Sequence, residues 1–272
     1  IIASYLIQGR LVPKYIDLEF NFSRKLIFKA FEQIEDKKII KEYYSQLGDV
    51  GLVAKRLVEN YNGMQFVHED RELSLFDVYK KLKEIALFEG KGSQEEKSNA
   101  YLNLVFQLDP LSIQYISRVI VGDLRLGLSD KTMLDAFSWY LVGDKSLRKQ
   151  LDAAYGAKAD IGNLAALVLQ NKEKNIEELL TQITIEPLTP VASKLVEREK
   201  TPEKVWERMP HCFVQAKLDG LRGQIHKKGG EVKLFSRNME EMTLQFPELI
   251  EAMQQLPYES VILDSEIIGF DI

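Results

Sequence analysis

With 272 residues, of which 45% are hydrophobic and 28% charged, the chain is long for one domain and comfortable for two, each with enough apolar content for a core. A lone cysteine, Cys212, and three histidines exclude a disulfide framework and a zinc cluster, so metal chemistry must use carboxylates and a reducing intracellular setting is the default. A net charge of −5 is neutral on a nucleic-acid partner, because phosphate binding depends on local clusters; pairs such as Lys37-Lys38 and Lys80-Lys81 read equally well as solvated helix surface.

No stretch approaches the roughly 18 apolar residues of a membrane span, and Ile1-Ile2-Ala3 opens without a cationic secretory region. The expectation is a soluble, cytoplasmic protein with no membrane partner, nucleoid-associated if the source is prokaryotic. The missing initial methionine, and the stop at Ile272 straight after a strand-like stretch, read as a chain cut at both ends.

From Arg24 to about Gln182 the pattern is helical. Leu26, Ile27, Ala30, Phe31 and Ile34 form one apolar face; after Ser74, which caps with Asp77 three residues on, Phe76, Tyr79, Leu82, Lys83 and Ala86 form another. Asp109-Pro110 opens a helix through Val121 that Gly122 ends, and Ser129 opens one that Gly143 closes. Helices joined by short glycine-bearing turns predict a compact all-α domain over residues 1–184. Within it Gly48-Asp49-Val50-Gly51 is echoed by Ala159-Asp160-Ile161-Gly162. Capping chemistry alone produces both; the other reading is a pair of helix starts whose free N–H groups face phosphates.

Pro187 and Pro190, in a segment with no periodicity, mark a boundary, so a second domain is expected over 185–272. Thr201-Pro202 starts a short helix to about Met209. Strands are then predicted on either side of Asp219-Gly220, with Phe213, Gln215 and Lys217 on one face of the first. Arg222, Gln224 and His226 oppose Leu221, Gly223 and Ile225 in the second. A Gly229-Gly230 turn, a strand from Val232 to Ser236, a helix from about Pro247 to Leu256 and a strand from Ser260 to Asp271 complete the beginning of an antiparallel α+β domain.

The run Lys217-Leu218-Asp219-Gly220-Leu221-Arg222, read as Lys-x-Asp-Gly-x-Arg, resembles the signature of the covalent nucleotidyltransferases. Phe235-Ser236-Arg237-Asn238, Phe246-Pro247-Glu248 and Leu263-Asp264-Ser265-Glu266-Ile267-Ile268-Gly269-Phe270-Asp271 follow in the order found in ATP-dependent DNA ligases, which this chain resembles. Gly122-Asp123-Leu124-Arg125-Leu126-Gly127 resembles the Leu-Arg-x-Gly segment of the N-terminal DNA-binding domain of the cellular and archaeal-type members. The resemblance implies a multi-domain fold: an all-α DNA-binding domain without its first helices, then the first part of an α+β antiparallel nucleotidyltransferase (adenylation) domain.

It further implies ATP as nucleotide, a divalent metal such as Mg2+, and nicked duplex DNA as substrate for a monomer, with a sliding-clamp partner left open. Lys217 would take up AMP as a phosphoramidate, and Asp219 would assist sealing near the nick 3′-hydroxyl. Arg222 and Arg237 would contact the nucleotide phosphate and ribose, and Glu266 the ribose or a metal beside it. A lysine amine is almost wholly protonated at neutral pH, so Arg222 and a metal would have to favour its neutral form. Gln215 stands where cellular ligases commonly carry Glu, and its amide oxygen can still accept from adenine. Arg125, Gly127 and Lys131 would serve DNA binding. The adenine-stacking aromatic, the later lysine elements and the oligonucleotide-binding barrel would lie beyond Ile272, so this chain alone is not expected to complete the reaction. The alternatives are an RNA ligase or capping enzyme, or a DNA-binding fragment without turnover.

Overall fold

A computed structural model describes residues 1–61, 73–171, 175–194 and 196–269. In chain order the helices are α1 (Ile2–Leu6), α2 (Arg24–Phe31), α3 (Lys37–Leu47), α4 (Val50–Asn60), α5 (Leu75–Leu87), α6 (Ser93–Val105), α7 (Pro110–Ile120) and α8 (Asp130–Val142). They continue as α9 (Arg148–Ala157), α10 (Ile161–Gln170), α11 (Ile176–Thr181) and α12 (Pro202–Arg208). Strands β1 (Leu221–Lys228) and β2 (Glu231–Ser236) precede α13 (Pro247–Gln255), and β3 (Ser260–Ile267) follows it. Two compact units result: Ile1–Pro13 with Leu18–Arg148 and Asp160–Lys174, and Lys14–Asp17 with Lys149–Ala159 and Asn175–Ile272.

The predicted caps set the helix ends. Ser74 and Asp77 form a reciprocal capping box on α5, Asp109 accepts from the N–H groups of Leu111 and Ser112 on α7, and Ser129 caps α8, which ends at the left-handed Gly143. One helix face differs from expectation: α5 buries Val78, Leu82, Ile85 and Ala86, whereas Phe76 is exposed beneath the Lys80 ammonium. Phe76 lies in the first turn, where capping by Ser74 fixes the helix start and packing does not constrain the ring.

The core of the first unit centres on Tyr101, whose ring meets Phe22 and Phe31 edge to face at 5.8 and 5.7 Å. Its hydroxyl donates to Ser117 Oγ (2.7 Å), which donates to the Ile113 carbonyl, so no polar group there is stranded. The echoed segments prove to be packing and capping devices. Asp49 is buried, accepts from Leu52 N–H at the start of α4, and pairs with Arg118. Asp160 is buried, caps α10 through Asn163 N–H and accepts from the Tyr5 hydroxyl at 2.6 Å. Gly51 and Gly162 permit close approach: a Cβ would lie 2.3 Å from the Gln114 carbonyl oxygen in one case and 2.4 Å from the Tyr5 ring in the other. Both helix starts are thus occupied by buried carboxylates, which leaves no place for phosphate on them.

In the second unit β1 is the central strand of an antiparallel sheet ordered β2-β1-β3, with Gly223 opposite Ser236 and Arg222 opposite Glu266. Ile225, Val232, Leu234, Met242 and Met253 pack between the sheet and α13. Lys227 Nζ donates to the Gln254 and Leu256 carbonyls and so closes the C-terminal end of α13. The polar face of β1 is also buried, because the proline-marked segment 187–193 lies on it. His226 Nδ1 accepts from Leu188 N–H, and Gln224 Oε1 accepts from Val191 N–H at 2.7 Å while its amide nitrogen donates to the Val191 carbonyl. Burial pushes the fully enclosed His226 imidazole down to about 4 from an ordinary 6.5.

The strand predicted for 213–218 does not form: these residues pair with no strand, and Phe213 and Val214 are exposed. Alternation supplies two faces but not a partner, and both edges of β1 are already taken by β2 and β3. The predicted last strand ends at Ile267; Phe270, Asp271 and Ile272 lie outside the described residues.

Candidate active site

Antiparallel pairing brings the N-terminal end of β1 to the C-terminal ends of β2 and β3. Arg222 sits opposite Glu266, and Arg237 directly follows Ser236, the partner of Gly223. Three of the predicted residues, separated by up to 44 positions, are thereby gathered at one end of the sheet. Gly220 ties the preceding motif to that end: its N–H donates to Glu266 Oε1 at 3.1 Å, and a Cβ there would lie 2.4 Å from the Ile267 carbonyl oxygen. Only glycine permits this approach.

Arg222 makes three side-chain hydrogen bonds to two partners. Its Nε and Nη2 donate to the two carboxylate oxygens of Asp264 at 2.8 and 2.9 Å, and its Nη1 donates to Ser193 Oγ at 2.5 Å. The Ser193 hydroxyl in turn donates to the Arg237 carbonyl at 3.3 Å. Asp264 belonged to the quoted motif without a role, and Ser193 carried no sequence signal, since a serine in a proline-bearing connection looks like any loop residue.

Lys217, Asp219 and Gln215 lie on the exposed segment before Gly220. The Lys217 ammonium reaches the neighbouring Leu218 carbonyl at 3.4 Å, and Gln215 and Asp219 make no side-chain hydrogen bond among the described residues. The structure therefore brings Arg222, Arg237 and Glu266 together and leaves Lys217, Asp219 and Gln215 on a solvent-facing approach to them. Among the described residues no three His, Cys, Asp or Glu side chains gather as a metal site.

A family profile described as "DNA ligase N terminus" matches residues 1–138, and one described as "ATP dependent DNA ligase domain" matches residues 193–272. The chain belongs to the ATP-dependent DNA ligase family. It is 35% identical over 273 residues to "DNA ligase 1" of Methanosarcina barkeri, 33% over 270 residues to "Probable DNA ligase" of Dictyoglomus turgidum, and 34% over 278 residues to "DNA ligase" of Sulfolobus acidocaldarius. Each alignment covers 98% of this chain but 47%, 44% and 46% of the respective relative, so the chain spans about half the length of the ligases it matches.

The Leu-Arg-x-Gly loop lies in the first unit. Arg125 has a left-handed backbone (φ 54°), and its guanidinium pairs with Asp123 at 3.0 Å and Asp49 at 3.3 Å and donates to the Gly48 carbonyl. Asp123 first, and Asp49 after it, raise its pKa further. Gly127 is also left-handed (φ 64°), and Lys131 lies in the exposed first turn of α8. Arg125 shares a cleft of about 790 Å³ with Arg10, Arg24 and Tyr44. Nothing local in the sequence links positions 10, 24 and 125, which only the fold brings to one cleft. Among the described residues no helix is long and apolar enough to cross a membrane.

Proposed function

We propose that this chain carries the nucleophile and the first part of the nucleotide pocket of a DNA ligase that uses ATP, with the helical part, expected over residues 1–184, serving duplex DNA, and residues 185–272 beginning the adenylation domain. The carrying observation is the convergence of Arg222, Arg237 and Glu266 at the sheet end that Lys217-x-Asp-Gly enters. In this reading the neutral Lys217 amine attacks the α-phosphate of ATP. The nitrogen–phosphorus bond forms as the bond to the bridging oxygen breaks, pyrophosphate departs with that electron pair, and the amine proton passes to solvent. AMP is then transferred to the 5′-phosphate of a nick, and the 3′-hydroxyl displaces it with Asp219 alongside.

The arginines suit the negative oxygens because a guanidinium donates in a planar fork. Gln215 would accept from the adenine amino group. Glu266 retains one carboxylate oxygen beyond the one that accepts from Gly220, which fits a magnesium ion held mainly by phosphates and water. Such an ion would supply charge neutralisation at the phosphates. Complete nick sealing is assigned to the full length of such ligases.

The experiment is incubation of the full-length protein with magnesium and ATP labelled at the α-phosphate, followed by denaturing electrophoresis. Label should remain on the wild-type chain and be absent from Lys217→Ala, with unchanged circular dichroism. Labelling of the alanine variant would remove Lys217 from its role. Wild-type protein that binds duplex DNA but takes up no label would favour a DNA-binding role without turnover.

A further inference from the structure

The connection 187–193 is hydrogen-bonded to β1 through side chains of that strand, although it pairs with no strand. Leu188 N–H is accepted by His226, and both the N–H and the carbonyl of Val191 are read by the Gln224 amide. His226 Nε2 and Gln224 Oε1 lie 2.8 Å apart; with Nδ1 accepting, Nε2 carries the proton and donates, so the two buried side chains hold one tautomer and one amide orientation. The Ala192 N–H is fixed separately by the Gly156 carbonyl at 2.9 Å. Three anchors, at Leu188, Val191 and Ala192, thus end immediately before Ser193.

We propose that Ser193 is a positioning residue for the nucleotide site, and that the connection carrying it is part of that site. A guanidinium has five N–H donors. Asp264 takes two and Ser193 a third, which leaves Arg222 two donors, one on each terminal nitrogen, for a bound phosphate or ribose oxygen. Asp264 alone fixes one edge of the fork but leaves the side chain free to hinge with the exposed carboxylate it grips. The second hold, from a serine that directly follows the anchored Val191 and Ala192, fixes the plane. Because the same hydroxyl donates to the Arg237 carbonyl, it also ties the start of the Arg237 turn to Arg222. The ligand chemistry is that of a nucleoside triphosphate, and the inference rests on the nucleotide role given to Arg222 above.

Two readouts separate this inference from that reading. In the labelling reaction Ser193→Ala should raise the KM for ATP about 5- to 20-fold, as expected for a lost hydrogen bond to a charged group, while the rate at saturating ATP changes less than about twofold. Ser193→Thr, which keeps the hydroxyl, should restore the KM. In 15N spectra of the chain without nucleotide, the Arg222 Nε–H should exchange with solvent faster in Ser193→Ala than in wild type, and His226 should keep its shifts, showing that the connection remains docked. An unchanged KM with an unchanged Arg222 signal would overturn the inference. Absence of label from wild type would instead overturn the nucleotide reading, and with it the function assigned to Ser193, even where the Arg222 signal responds.

Discussion

At the scale of single residues, the echoed Asp-x-Gly segments show how one motif supports two opposite readings until neighbours are known. An aspartate before a helix and a glycine within its first turn suit an open, phosphate-facing helix start equally well as a closed, packed one. The buried carboxylates of Asp49 and Asp160 and the absence of space above Gly51 and Gly162 decide for the closed form. Adding a methyl group should therefore test packing. Gly162→Ala forces the Tyr5 ring away from Asp160 and should cost about 1–3 kcal/mol, the usual range for overpacking. Gly51→Ala meets the Gln114 carbonyl oxygen of α7, which cannot swing aside as a ring can, and should cost at least as much. Denaturant melts of both variants check this; a loss of DNA binding at full stability would restore the phosphate reading.

At the scale of elements, what sequence shows is what is local. Ser74 with Asp77, Asp109 before Pro110, Ser129, and Thr201 before Pro202 start helices, and Gly143 ends one, where their short-range chemistry says they should. The strand at 213–218 fails because pairing is a property of two segments, and Phe76 fails because periodicity does not say where in a helix packing begins. For the site, the motif supplied residue identities, but only the register puts Arg237 and Glu266 beside Arg222, and nothing local announces the holds by Asp264 and Ser193. Nor does alternation reveal that the polar face of β1 is buried. That burial has a consequence for pH. His226 titrates near 6.5 when unfolded and near 4 when enclosed, so the folded state binds fewer protons than the unfolded state between those values. Its stabilising neutral form is fully present above about pH 6.5, and stability should fall by up to about 1.4 kcal/mol per pH unit as pH drops toward 4. A proton on Nδ1 would face the Leu188 N–H and release the connection. In thermal melts between pH 7 and 4, His226→Gln should be less stable at pH 7 but should lack this part of the slope; an identical slope would place the acid sensitivity in other groups.

At the scale of the whole molecule, a net charge of −5 repels DNA at long range, so any affinity must come from cations near enough to individual phosphates to outweigh it. The first unit offers two kinds. Arg10, in the cleft, and Lys131, on the first turn of α8, are exposed, and no ion pair joins either to a carboxylate among the described residues. Arg125 is different: with Arg118, Asp49 and Asp123 it forms a group of two cations and two anions, whose formal charges cancel. Binding to random-sequence duplex should weaken with salt by about 0.9 log units per log unit of salt for each phosphate neutralised. Arg10→Ala and Lys131→Ala should each lower that slope by about 1, equally for all sequences, because they would act as point charges on the backbone. Arg125→Ala should lower it by clearly less and should reduce the melting temperature instead, since Asp49 loses one of its two arginine partners. Fluorescence anisotropy across a salt series separates the cases. A full unit of slope lost at Arg125 would mean that DNA draws this arginine out of its ion pairs, and that the Asp49 network holds it ready for phosphate instead of keeping it from phosphate.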